Sequence, residues 1–211
     1  SVTNQGPAPA SLHVLPTLWY RNTWSWGEAT AKPLLRDAAW AGGHAIEARH
    51  AELKPHYCYL GSDAPLLFTE NESNRELLFG DANSSPYVKD GIDRYVVQGD
   101  KTAVNPRRRG TKASAHYELK VAPGSTQVLQ LRFCNVAPSA LERRFPEEKG
   151  NPFSAFDTLF QHRQAEADAF YTAITPEKVD AENARIMREA LAGMLWTKQF
   201  YHYDLDQWLE E

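Results

Sequence analysis

The residues best suited to chemistry sit in a few short strings. In Leu18-Trp19-Tyr20-Arg21-Asn22-Thr23-Trp24-Ser25-Trp26-Gly27, aromatic rings alternate with amide and guanidinium groups, and four of the six tryptophans fall between Trp19 and Trp40. Such a loop suits sugars, because rings stack on pyranose faces while amides bond hydroxyls. The competing reading, that Trp19, Trp24 and Trp26 fill a core or a seam between domains, is favoured on residue statistics. Phe68-Thr69-Glu70-Asn71-Glu72-Ser73-Asn74 brings two carboxylates close together. Glycoside hydrolysis uses such a pair, one group as acid and the other as base or nucleophile. Spacing alone does not establish that role, and Glu72 before Ser73 equally fits the start of a helix. The basic run Asn105-Pro106-Arg107-Arg108-Arg109-Gly110-Thr111-Lys112 lacks interleaved aromatics. A solvated loop, or a clamp on a neighbouring carboxylate, is therefore preferred to a phosphate site, with Gly110 allowing a tight turn into the next strand. Lys198-Gln199-Phe200-Tyr201-His202-Tyr203-Asp204 fits either a pocket completed by other helices or the polar face of an ordinary packed helix. The seven histidines show no HExxH-like spacing, so no metal site is expected, and no GxSxG, P-loop or dinucleotide fingerprint occurs.

The elements that must position these strings follow two regimes. Up to about residue 135 the period is mostly two, broken by Gly, Pro, Asn and Asp, as β-structure requires. Ala113, Ala115, Tyr117, Leu119 and Val121 alternate with Ser114, His116, Glu118 and Lys120. Pro123-Gly124 then signals a turn, and Leu129, Leu131 and Phe133 share one face. This pattern predicts a half-buried antiparallel hairpin. Further strands are expected over 11–20, 45–50, 56–60 and 66–69, with an edge or bulge at Pro16. Short helical turns are expected within 71–80 and 87–97. Residues 137–152 read as a polar connector. After it the period becomes 3.6: Phe156, Leu159, Phe160, Ala167, Phe170, Tyr171 and Ile174 line one helix face. Thr175-Pro176 is the expected N-cap and first position of the next helix. That helix carries Met187, Ala190, Leu191, Met194, Tyr201, Leu205 and Trp208 on one stripe, and Trp196, Phe200 and Tyr203 on a second.

The chain has 211 residues, with 23 Lys+Arg against 27 Asp+Glu and a net charge of −4. That balance argues against a general nucleic-acid or membrane-surface binder. Hydrophobic residues at 42% can build a packed core, which argues against disorder. Cys58 and Cys134 are too few for a disulfide framework and are read as buried free thiols. No apolar stretch approaches the length of a membrane span. The chain opens at Ser1-Val2-Thr3-Asn4 without Met and stops in an unfinished helical pattern at Trp208-Leu209-Glu210-Glu211. It therefore reads as a piece of a longer protein.

Five segments, 13–27, 67–74, 89–95, 105–112 and 198–208, resemble bacterial proteins of glycoside hydrolase family 63 and the related mannosylglycerate-hydrolase-like group. The strings WYRNTWSWG and KQFYHYD are the most specific. Gly91-Ile92-Asp93 departs from the Ala, Phe and His that such proteins carry there. The resemblance implies a mainly β fold with C-terminal α structure. Residues 1–136 would form part of an antiparallel supersandwich of the galactose-mutarotase type, and 137–152 a connector. A linker helix over 153–174 would follow, and 175–211 would begin an (α/α)₆ barrel. It implies an inverting, exo-acting α-glycosidase acting on α-glucosides or α-mannosides, whose acid Asp and base Glu lie beyond Glu211. No residue of this chain would then be catalytic, and no metal or organic cofactor is implied. The resemblance further implies that Trp24, Trp26, Tyr203 and Asp204 stand at the rim of the sugar pocket. The partners would be an oligosaccharide or small glycoside and the catalytic barrel of the same polypeptide, with neither nucleic acid nor membrane. The low cysteine count suits the cytoplasm. A stand-alone carbohydrate-binding module and a purely structural segment are the rival readings.

Overall fold

The computed structural model describes residues 1–25, 31–146, 149–197 and 209. Its strands are β1 (Val2–Thr3), β2 (Ala10–Val14), β3 (Thr17–Trp19), β4 (Leu34–Trp40), β5 (Gly43–Arg49), β6 (His56–Leu60), β7 (Leu66–Thr69), β8 (Arg109–Gly110), β9 (Lys112–Ala115), β10 (Tyr117–Val121), β11 (Thr126–Gln127) and β12 (Leu131–Cys134). Its helices are α1 (Arg75–Phe79), α2 (Gly91–Gln98), α3 (Leu141–Arg144), α4 (Phe156–Ile174) and α5 (Ala181–Trp196), with 3₁₀ turns at Lys101–Ala103 and Pro138–Ala140. The chain divides into two units, Ser1–Ser154 and Ala155–Glu211.

The first unit is antiparallel throughout. Val14 faces Tyr117, Ala10 faces Val121, Thr17 faces Ser114 and Trp19 faces Lys112. The register is the same on both sides of the gap at residues 15–16. β2–β3 and β9–β10 are therefore one long pair, interrupted where Pro16 has no N–H to give, as its position predicted. On its other edge β9 pairs with β7. A second sheet has the order β12-β6-β5-β4-β8. Because β8 runs through Thr111 into β9, one stretch of backbone joins the two sheets.

The sheets face each other across a shared core. Leu35, Ile46 and Leu60 come from the five-stranded sheet, and Phe68, Ala113, Ala115 and Tyr117 from the other. Burial of these apolar groups is the main favourable term holding the layers together. Behind the five-stranded sheet, Ala45, Tyr57, Tyr59 and Leu141 form a second cluster with Trp40, Phe145 and Phe153. The stretch expected as a connector thus covers a sheet face. Tyr59 Oη donates to the Val136 carbonyl at 2.6 Å, and Arg132 Nη1 to the Pro152 carbonyl at 2.7 Å. With both faces covered, β5 buries four consecutive residues, Ala45–Ala48, instead of alternating.

The expected hairpin between 113–121 and 128–133 does not form. The Pro123-Gly124 turn is present, with Gly124 at φ +66° and Ser125 N donating to the Ala122 carbonyl at 3.1 Å. Beyond it, however, β11 pairs with β1, and β12 pairs with β6 in the opposite sheet. Alternation identifies an apolar face but not the strand that will pair with it. Nor is the outer face left open, since Ser114 and His116 are buried as well. Cys58 lies opposite Phe133, and Cys134 opposite Tyr57. The two thiols therefore point to opposite faces of the sheet and into separate clusters, as free cysteines.

In the second unit α4 spans the stretch that its period predicted. The expected cap of the next helix is corrected. Thr175 ends α4, its Oγ1 donating to the Tyr171 carbonyl at 2.7 Å, and Pro176 lies in the following turn. Asp180 caps α5 by accepting from Asn183 N at 2.9 Å. A carboxylate three residues before a free N–H satisfies a helix start better than Thr175, whose hydroxyl is already used. Arg188 joins the two helices, pairing with Asp168 at 2.7 Å and lying 4.9 Å over the Tyr171 ring. No helix is long and apolar enough to cross a membrane among the described residues.

Candidate functional site

Three segments converge where the two sheets share Thr111. The chain leaving β3 is held by Tyr20 N, which donates to the Thr111 carbonyl at 3.0 Å. Asn22 Oδ1 accepts from Ser25 Oγ at 2.9 Å and folds the loop so that Trp24 turns inward. The chain leaving β7 is fixed by the Thr111 hydroxyl, which accepts from Asn71 N at 2.7 Å and donates to Glu70 Oε2 at 2.8 Å. Asn71 Nδ2 completes the link by donating to the Tyr20 carbonyl at 2.8 Å. Gly110 is required by close approach: a Cβ there would be driven into the Thr69 carbonyl. Its role is contact between backbones, beyond the turn that its sequence context predicted.

Glu72 is the hub. It accepts from Trp24 Nε1 at 2.8 Å, from Lys32 Nζ at 2.7 Å and from Ser84 Oγ. Lys32 Nζ also bridges to Glu70 Oε2 at 3.1 Å and lies 5.7 Å from the Trp24 ring centroid. Burial alone would raise the Glu72 pKa. The hydrogen bonds from Lys32, Ser84 and Trp24 outweigh it and hold the carboxyl below its ordinary value. Lys32 shows the mirror effect, its pKa raised by Glu72 and Glu70 against the opposing effect of burial. Since both carboxylates touch one ammonium, their nearest oxygens lie within about 6 Å, short of the roughly 6.5–9.5 Å that an inverting mechanism needs. A carboxyl held ionised by three donors is also the opposite of a general acid. The pair ties the three segments together through Lys32.

Beside this hub opens a cleft of about 610 Å³, lined by Lys32, Glu70, Tyr87, Asn105, Arg107 and Arg109 among others. Asn105 shapes its wall, accepting from Arg107 N at 3.0 Å and donating to the Arg109 carbonyl at 2.7 Å. Arg108, at φ +50°, turns the other way and clamps Asp37 at 2.7 Å. The basic run thus divides its duties: the middle arginine holds a carboxylate, and its neighbours face the cleft. Guanidinium, ammonium, amide and phenol groups around an open hollow can bond several hydroxyls at once.

Of the residues expected at a sugar rim, Trp24 does not line this cleft; it is linked to it through its bond to Glu72 and its contact with Lys32, which does line it. Trp26, Tyr203 and Asp204 lie outside the described residues, as does most of the Lys198–Asp204 string. Sequence reasoning missed Lys32, Ser84 and Tyr87, which carry no motif. At Gly91 a Cβ would meet the Ala103 carbonyl, so close approach of backbones requires glycine there.

No family model matches the chain, and no solved structure matches it significantly. An uncharacterized protein of Saccharomyces cerevisiae is 36% identical over 233 aligned residues, covering 93% of this chain and 20% of the yeast protein. The chain spans about a fifth of the length of the curated relative that it matches.

Proposed function

We propose that this chain is the non-catalytic sandwich portion of an inverting, exo-acting α-glycosidase. It would brace a catalytic (α/α)₆ barrel, of which α5 is the first helix and α4 the linker, and would lend Trp24 and the neighbouring cleft to the rim of the sugar pocket. The observation that carries this reading is the Trp24–Lys32–Glu70–Glu72 network. It joins an aromatic loop to a polar hollow while committing Glu72 to three donors and Glu70 Oε2 to two, an arrangement suited to holding a glycoside and not to cleaving it. Exposed Phe160, Phe170, Met194 and Trp196 on α4 and α5 agree with helices that have further partners in a longer polypeptide.

The test is to incubate the longer parent polypeptide with aryl α-glucosides and α-mannosides and to follow the released sugar by proton NMR. The β-anomer appearing first, with no hydrolysis by this chain alone, is the expected result. Hydrolysis by the chain alone, or inactivity of the parent on both substrates, would overturn the reading. The described residues that line the cleft all belong to Ser1–Ser154, which favours one second reading, a carbohydrate-binding module. Calorimetric binding of methyl glycosides by this chain, with a parent that cleaves nothing, would select it.

A further inference from the structure

His13 and His116 are 103 residues apart in the chain, yet their Nδ1 and Nε2 atoms approach to 2.8 Å. His13 lies on β2, directly opposite Glu118 on β10. His116 lies two residues before Glu118, at the break between β9 and β10. Ala115 and Tyr117 point into the core, so His116 and Glu118 share the outer face with His13. Glu118 Oε1 is 3.9 Å from His116 Nε2, and the three ligand atoms all lie within 4.8 Å of one another.

We propose that His13, His116 and Glu118 form a binding site for a late first-row divalent cation, with Zn²⁺ the best fitted. Zinc bonds imidazole nitrogen at about 2.0–2.1 Å and carboxylate oxygen at about 2.0–2.2 Å, so tetrahedral ligand atoms stand roughly 3.4 Å apart. The observed separations bracket that value. The anchor is rigid: His116 is only 6% exposed, its backbone N–H donates to the Pro65 carbonyl at 2.9 Å, and the Tyr95 ring packs edge-on at 5.9 Å. The adjustable ligand is Glu118, 73% exposed and free to swing the short distance required. Two nitrogens in a set of three disfavour Ca²⁺ and Mg²⁺, which take oxygen ligands. Three protein ligands leave a fourth position for water. The site is independent of the sugar cleft, and no sequence motif announces it because the ligands come from strands paired across the whole unit.

The test uses chelator-stripped protein titrated with Zn²⁺ against a fluorescent chelator, and with Co²⁺ followed by visible absorption. One equivalent should bind with Kd in the micromolar range or tighter, with a Co²⁺ spectrum of tetrahedral intensity. His13→Ala should weaken binding by on the order of 100-fold and Glu118→Gln by roughly tenfold. Both are exposed positions that leave the buried His116 in place, and circular dichroism checks that each variant folds. His162→Ala, which removes the exposed His162–Glu166 helix pair, should change nothing. Absence of stoichiometric binding, or binding that survives His13→Ala, would overturn the proposal.

Discussion

Deleting the Trp24–Glu72 hydrogen bond offers a quantitative check on the hub. Trp24→Phe removes the Nε1–H donor, and Glu72→Leu removes the acceptor while keeping much of the side-chain volume. A hydrogen bond to a charged group contributes about 1.5–3 kcal/mol to stability. The Glu72 side chain is 15% exposed and Trp24 half-buried, so water can replace part of the bond. The coupling between the two positions should therefore be about 1–1.5 kcal/mol. Each single variant also loses terms of its own, ring volume at Trp24 and the Lys32 pairing at Glu72, and the double-mutant cycle cancels them. Urea unfolding of the four proteins, followed by far-ultraviolet circular dichroism, reads the coupling without interference from the altered fluorophore. Additivity within about 0.5 kcal/mol would show that the indole does not engage the carboxylate in solution.

Four other positions give independent checks. Gly110→Ala should cost about 3 kcal/mol, since its Cβ meets the unyielding Thr69 backbone, whereas Gly124→Ala, at φ +66° in open space, should cost about 1 kcal/mol; chemical unfolding ranks them. Glu47 is buried, and although burial raises its pKa, hydrogen bonds from Arg36 and Arg49 outweigh that and hold it below the ordinary value of 4.5. Its contribution to stability is then full above about pH 4.5 and lost as pH falls through the lower folded value, so thermal unfolding of Glu47→Gln should show a weaker acid dependence than the parent. Burial pushes the Cys58 thiol up to about 11, so at pH 8 its thiolate fraction is roughly 100-fold below that of a free cysteine, and disulfide-exchange labelling should reach it only as fast as the sheet opens.

Strand positions were legible wherever a short apolar run had turn residues at both ends: β6 and β7 fall where expected, and α4 follows its 3.6 period. β4, Leu-Leu-Arg-Asp-Ala-Ala-Trp, escaped because it has neither β-branched residues nor clean alternation. Its burial comes from layers on both sides. Pairing was the harder matter. Nothing local in 112–121 says that its partner is 10–19 instead of the segment beyond Pro123-Gly124. The candidate site was half visible: the tryptophan loop, the paired glutamates and the basic run were each recognisable. Lys32, which joins two of them, has no motif, and the contact between Gly110 and Thr69 exists only once the sheets have folded. His13 and His116 show the same limit most sharply, since spacing rules work only for ligands on one local element.

On the proposed function, Glu70 and Glu72 hold the glycoside rim and do not perform the chemistry. Steady-state kinetics of the parent polypeptide carrying Glu70→Gln and Glu72→Gln tests it most directly. The expected result is a raised KM with kcat within about threefold of the parent. A fall in kcat of about 10²–10⁴-fold at unchanged KM, the loss expected on removing a general acid or base, would contradict it.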